Sequence, residues 1–431
     1  MTRLRATTLI VIVMGCLLGI SCGTTGHAPT ARMAATSQPT EFRLPDDFFP
    51  ITTWELPPRS AGFGDSSSGL KSVADCGFTA ACFVPPTMVS ECRKLGLRAI
   101  IFGGDEIRRW KDFTDDEIET AVANLVRGTE RNDTVLGYFI CDEPGVQEFP
   151  QLAKAVAAVK RLAPGKLAYI NLYPNYATIG NPSFSQLGTP SYAEYLERFI
   201  TEVKPQLLSY DNYRVQTSRD FADPKGAISY FTNLMQVRDA ARKHNLPFWQ
   251  IVTGNQIRPF AHPPSPANYL LQAYTTLATG AEGLTFFTYY ASKYKTAPVD
   301  KDGHRTVSWS YLKMANEQVK VIGPIMRRLK NTGVYFTAPP DASLPALPEE
   351  MGQSVQSATP LMVGEFADSA GVRHVMLVNL SLDRSSEIHF TPSAPHDRVS
   401  QFSPVDGALL PLAKGESFWL TPGQGVLLKV E

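Results

Sequence analysis

From residue 48 onward the chain alternates short runs of consecutive apolar residues with longer stretches whose apolar positions recur every three to four residues. Eight runs read as strands: FPITTWEL (49–56), TAACFVP (79–85), RAIIFGG (98–104), TVLGYFIC (134–141), KLAYINLY (166–173), QLLSYDNY (206–213), FWQIVTG (248–254) and GLTFFTYY (283–290). Most are apolar throughout rather than at every second position, the pattern of parallel strands covered on both faces. The helical stretches between them carry their own punctuation. Thr114 and Glu117 form a capping-box signature ahead of Ile118, Ala121, Val122, Leu125 and Val126. Pro150 opens a helix with Leu152, Val156 and Val159 on one side, and Ala227 to Asn245 reads as another that ends before Pro247. Eight βα units with no Gly-rich phosphate turn predict an α/β fold, a closed (β/α)8 TIM barrel, over the alternative of an open doubly wound sheet.

After residue 336 the pattern changes to short strand-like runs, PLMVGEFAD, RHVMLVNLS, SEIHFTP, ESFWLTP and GVLLKVE, separated by Gly, Pro, Ser and Asp turns. The expected organisation is a barrel over 48–336, then a linker within 337–353 and a small all-β, sandwich-like domain to residue 431. At the other end, Arg3 and Arg5 precede an apolar stretch from Leu9 to Ile20, the layout of an export signal and too short to span a bilayer comfortably. Gly19-Ile20-Ser21-Cys22 resembles the bacterial lipobox, which implies lipid on Cys22 and an exported protein anchored in the cell envelope, at its periplasmic face or surface. Residues 23–47 then form a polar tether.

The 41 basic and 41 acidic residues balance, and no block of like charge occurs, which argues against a nucleic acid or an anionic membrane surface as partner. Beyond Cys22 the mature chain holds Cys76, Cys82, Cys92 and Cys141, with no CxxC pair, and small apolar packing is their expected role. The histidines lack metal-binding spacing, and DKDG at 300–303 begins like a calcium loop but has Tyr311 where the twelfth-position acid belongs. No nucleophile elbow or dinucleotide turn is present, so no metal and no cofactor is expected.

Candidate chemistry lies at the strand ends, because a (β/α)8 barrel collects its functional side chains at the C-terminal mouth. The fourth strand, VLGYFICDEP, stops abruptly on Asp142, Glu143 and Pro144. A carboxyl there, half-desolvated between aromatic walls, acquires a raised pKa and can serve as a general acid. This CDEP is similar to the Asn-Glu-Pro of clan-A-type retaining (β/α)8 glycoside hydrolases, which often carry a small β-domain as well. The resemblance implies that Glu143 is the acid/base, with Asp142 in the place of the family's sugar-contacting Asn. The seventh strand departs from that family: FWQIVTGNQIR offers Gln250 and Gln256 where the nucleophilic Glu is expected.

The second carboxylate is therefore sought at the sixth strand, where Asp211 in SYDNY lies between Tyr210 and Tyr213. This segment is similar to the Tyr-Asp of chitinase-type hydrolases, in which the substrate's own acetamido group attacks, although Cys141 stands where that family has a further Asp. Asp211 is either a base that activates water or a stabiliser of the cationic transition state. Further rim residues are of types that bind sugars: Trp54 and Glu55, Asp105 and Glu106, Asn171 and Tyr173, and Tyr289 and Tyr290. The expected function is an exported hydrolase of O-glycosidic bonds in an oligo- or polysaccharide. The alternative is a lipoprotein barrel that binds carbohydrate without cleaving it.

Overall fold

The computed structural model describes residues 41–55, 66–103, 110–217, 227–259, 261–291, 293–351 and 353–431. Eight parallel strands close in sequence order into a barrel: β1 (Ile51–Thr53), β2 (Ala80–Val84), β3 (Arg98–Ile101), β4 (Val135–Asp142), β5 (Leu167–Leu172), β6 (Leu208–Asp211), β7 (Phe248–Thr253) and β8 (Gly283–Phe287). The seam is β8 against β1, with Thr52 opposite Thr285. Around it run α1 (Ser66–Asp75), α2 (Val89–Lys94), α3 (Asp115–Val126), α4 (Phe149–Leu162), α5 (Tyr192–Arg198), α6 (Ala227–His244), α7 (Pro266–Ala278) and α8 (Val307–Met326). The signal at Thr114 is a complete capping box: its hydroxyl accepts from the Glu117 amide, and Glu117 accepts from the Thr114 amide at 2.7 Å.

The apolar runs are explained by a pleat with two dry faces. Ala80, Cys82, Ile100, Leu136, Phe139, Tyr169, Trp249 and Ile251 fill the barrel interior, while Ile51, Ala81, Ile101, Tyr138, Ile140 and Val252 join the helices outside. Gly283 is required where the Trp249 indole lies against the neighbouring strand, since a Cβ there would come within 2.7 Å of the ring. A polar thread climbs through this interior. Tyr169 and Ser209 share a hydrogen bond of 2.9 Å, the Ser209 hydroxyl donates to the Asn171 side chain at 3.1 Å, and Asn171 Nδ2 donates to Asp142 Oδ1 at 3.1 Å. It ends at the mouth.

The second unit is a sandwich. One sheet has the order β15-β14-β17-β12-β11-β9 and the other β10-β13-β16, built from β9 (Lys330–Phe336), β10 (Ser354–Ser357), β11 (Leu361–Ala367), β12 (Arg373–Asn379), β13 (Ser386–Thr391), β14 (Val399–Phe402), β15 (Leu409–Leu412), β16 (Phe418–Leu420) and β17 (Gly425–Val430). Its first strand starts at Lys330, inside the span expected for the barrel, and pairs antiparallel with β11. Leu361, Val363, Val375, Leu377, Ile388 and Leu428 pack between the sheets, whereas Met362, Phe366 and Met376 face the barrel side. Helix α7, buried throughout from Asn268 to Ala278, is held between barrel and sheet. The backbone approaches are close: a Cβ on Gly364 would collide with the Ala278 carbonyl, one on Gly423 with the Ala267 carbonyl, and one on Gly425 with the Tyr274 ring. Cys76, Cys82, Cys92 and Cys141 are all free thiols and all buried, as small apolar packing requires.

Candidate active site

The abrupt end of β4 has a conformational reason. Glu143 turns into the left-handed region, at φ 46°, and its amide donates to the Asn171 carbonyl at 2.8 Å. A side-chain-bearing residue before proline normally stays extended, and holding it left-handed costs about 1–3 kcal/mol. Pro144 gives up no needed donor, and its carbonyl accepts from the buried Tyr195 hydroxyl at 2.7 Å. Asp142 thus stays exposed at the strand end while Glu143 swings, half-buried, across the mouth.

Asp211, ending β6, is buried at 4% exposure, and its Oδ1 meets no hydrogen-bond donor. Burial first, then the charges of Glu143 and Asp142, hold its pKa far above the usual carboxylate range, and a hydrogen bond to Tyr213 only partly offsets this. A carboxyl oxygen left without a donor is poorly suited to carry charge, so Asp211 keeps its proton. Glu143 is pushed up to about 7, chiefly by burial and then by Asp142, while a hydrogen bond with Asp211 pulls it back. The two carboxyls are therefore in hydrogen-bonding contact.

These acids share a cavity of about 390 Å³ with Trp54, Tyr176, Tyr213, Ile257, Arg258, Phe287, Lys293 and Tyr294. Tyr213 stacks on Phe287 at 5.1 Å, and Tyr294 meets the same ring edge-on at 5.4 Å. A second cavity of about 550 Å³ shares Trp54, Asp142 and Phe287 and adds Glu55, Phe83, Phe102, Phe139, Cys141 and Glu148. Glu55 has its pKa raised by burial, against the pull of Lys293. Tyr173 is close enough for the charge of Glu143 to raise its own pKa, though burial contributes more.

The structure thus gathers Glu143, Asp211, Asp142, Trp54, Glu55 and Tyr213 around one mouth, with Asn171 beneath Asp142 and Tyr173 alongside. Four other expected residues belong to the outer layer. Gln250 faces α7 and accepts from the Thr276 hydroxyl at 2.6 Å, because the inward positions of β7 are Trp249 and Ile251. Tyr210 is likewise outward, alternating with inward Ser209 and Asp211. Tyr289 and Tyr290 lie beyond the end of β8, and their hydroxyls donate to the Ser72 and Gly69 carbonyls of α1 at 2.8 and 3.3 Å. Asp105, Glu106 and Cys22 lie outside the described residues. Conversely, Tyr176, Arg258, Lys293 and Tyr294 line the cavity from loops, where no periodicity marks a residue as inward-facing. Phe287 was within reach of the sequence, two residues after inward Thr285.

Among the described residues, Asp300, Asp302 and His304 form the one group with ligand atoms close enough for a metal ion, and Asp300 there already accepts from the Asp302 and His304 amides at 2.9 and 2.8 Å.

No protein-family model matches the chain, and no curated protein does. Solved structures do match in shape. A catalytic mutant of a GH42 beta-galactosidase from G. stearothermophilus superposes with a TM-score of 0.61 at 8% identity, covering 89% of this chain and 98% of that one. A glycoside hydrolase family 5 protein from Bacteroides vulgatus ATCC 8482 gives 0.56 at 12% identity, covering 89% of each chain. A further structure described as a glycoside hydrolase gives 0.55 at 13%, covering 89% and 92%. At this level of identity the likeness is one of fold, and the barrel with a following β-domain is the architecture these proteins share with the chain.

Proposed function

We propose that the protein is an exported, lipid-anchored glycoside hydrolase that cleaves O-glycosidic bonds in an oligo- or polysaccharide, with Glu143 as proton donor. The observation that carries this reading is a half-buried carboxyl held at about 7, between aromatic faces, at the mouth of a closed barrel. Such an acid still holds its proton near neutral pH and gives it up readily, the compromise a general acid needs. The fold shared with glycoside hydrolases agrees with it.

In the step proposed, the proton passes from Glu143 to the glycosidic oxygen as the bond to the anomeric carbon breaks, and a water then adds to that carbon and returns its proton to the Glu143 carboxylate. The carboxylate left behind accepts a hydrogen bond from protonated Asp211, so the charge that appears on Glu143 is met by a donor already in place. Asp142, exposed and oriented by Asn171, is then the ionised group facing the positive charge on the sugar. In this reading burial of Asp211 passes the charge-stabilising role, one of the two open to it from the sequence, to Asp142 two strands away.

Release of new reducing ends from a panel of plant, algal and host glycans tests the reading. Glu143→Gln should lower turnover by roughly 10²–10⁴ on natural linkages and far less on nitrophenyl glycosides, whose leaving group needs no proton. Asp142→Asn should slow both alike. Full activity of Glu143→Gln on a natural glycan would sink the assignment.

A further inference from the structure

The cavity that holds the acids is not lined by acids alone. Arg258, in the loop after β7, and Lys293, in the loop after β8, border the same space, and both are exposed to it. Among the described residues neither has a carboxylate within ion-pair distance. Lys293 has its ammonium 5.4 Å from the Tyr294 ring centroid and acts on Glu55 only through space. A third cation, Arg214, differs in lying over the Tyr176 ring at 4.4 Å. The groups that set the protons of Glu143 and Asp211 are Asp142, Tyr213 and one another, with no cation among them. Arg258 and Lys293 thus line the cavity of the catalytic pair without being among the charges that set its protons.

Counting charge makes the arrangement pointed. While Glu143 and Asp211 hold their protons, one ionised acid, Asp142, shares a space of about 390 Å³ with two cations. A neutral sugar entering there leaves the two cations one charge in excess of the acid. A sugar carrying one anionic group balances them, and a guanidinium offers paired donors that fit a carboxylate or a sulfate bidentately. Tyr294 and Phe287, which line the same cavity, supply faces for the sugar ring.

We propose that Arg258 and Lys293 form an anion-reading lip, and that the substrate is a glycan with a uronate carboxylate or a sulfate ester on the residue bound beside the cleaved linkage. This rests on the hydrolase reading for the word substrate, but the recognition itself does not. The experiment pairs a uronate-containing oligosaccharide with its carboxyl-reduced form, and a sulfated galactan oligosaccharide with its desulfated form. Binding is measured by calorimetry, and hydrolysis by reducing ends. One anionic member should bind roughly tenfold or more above its neutral counterpart, and the preference should weaken with added salt. Arg258→Gln and Lys293→Gln should each reduce the anionic-to-neutral ratio roughly tenfold, and Arg258→Lys should recover part of it. Which pair responds distinguishes carboxylate from sulfate. Preferential, lip-dependent binding with no cleavage would uphold the inference and defeat the hydrolase reading. Cleavage of neutral glycans with a ratio unmoved by Arg258→Gln would do the reverse, and absence of binding by both anionic members would overturn the lip outright.

Discussion

Replacing Glu143 by Gln should make the folded protein more stable, and only above a particular pH. In the folded chain this carboxyl is pushed from 4.5 to about 7, first by burial and then by Asp142. A raised acid is a burden when ionised. The contribution of Glu143 is neutral below its unfolded pKa, where both states are protonated, and becomes increasingly unfavourable as the pH rises from about 4.5 to about 7. At about 1.4 kcal/mol for each tenfold in proton affinity the full cost would be about 3 kcal/mol, and the half-exposed position brings it to about 2 kcal/mol through solvent screening. Glutamine keeps the shape and the hydrogen bonds but never ionises. For a folded unit of this length, that gain corresponds to about 2–3 °C in Tm. Scanning fluorimetry at pH 5 and pH 8 reads it directly: the variant should match wild type closely at pH 5 and exceed it at pH 8. An equal difference at both values, or a less stable variant at pH 8, would mean that Glu143 is not held protonated by its surroundings, and the general-acid reasoning would lose its foundation.

Other outcomes follow from the same geometry. The alkaline limb of kcat/KM should fall near pH 7 as Glu143 loses its proton; Asp211→Ala, by removing the hydrogen bond that restrains Glu143, should move the limb upward, whereas Asp211→Asn, which keeps a donor, should leave it close to wild type. Because residue 143 sits at φ 46°, Glu143→Gly should be more stable than Glu143→Ala by about 1 kcal/mol in urea denaturation, and equal stability would show the left-handed turn to be unstrained. For the proposed anchor, wild type should partition into a detergent phase and Cys22→Ser into the aqueous one; a soluble wild type would refute lipidation.

How much of this was legible depends on what each element reports about direction. The eight strands were visible as apolar runs, and the acids of β4 as the place where such a run stops. The facing of side chains was not. In β6 and β7 both faces are dry, so Ser-Tyr-Asp and Trp-Gln-Ile do not reveal which positions point to the axis, and Tyr210 and Gln250 were assigned to the mouth on proximity alone. In β8 the strand ends at Phe287, three residues before the end of its apolar run, which puts Tyr289 and Tyr290 beyond the barrel's pleat. Strand β9 opens with Lys330-Asn331-Thr332-Gly333, a sequence with no strand character of its own, and is fixed by pairing with residues some thirty positions later. The cations Arg258 and Lys293 come from loops, whose course depends on contacts that local sequence does not encode.

The joint between barrel and sandwich has a consequence for how this molecule could be altered. At two points it meets as main chain on main chain, with Gly364 and Gly423 against the carbonyls at the two ends of α7. At those two points there is no side chain to re-tailor: any added carbon is a wedge, and Gly423, at φ 72°, has the further requirement of a left-handed turn. Helix α7 in turn steadies the rim, since Gln272 accepts from the Thr253 amide at 2.8 Å at the end of β7, just before the loop that bears Arg258. The sandwich is therefore a splint rather than a passenger, and cutting it away or grafting another in its place would be felt first at the lip of the mouth.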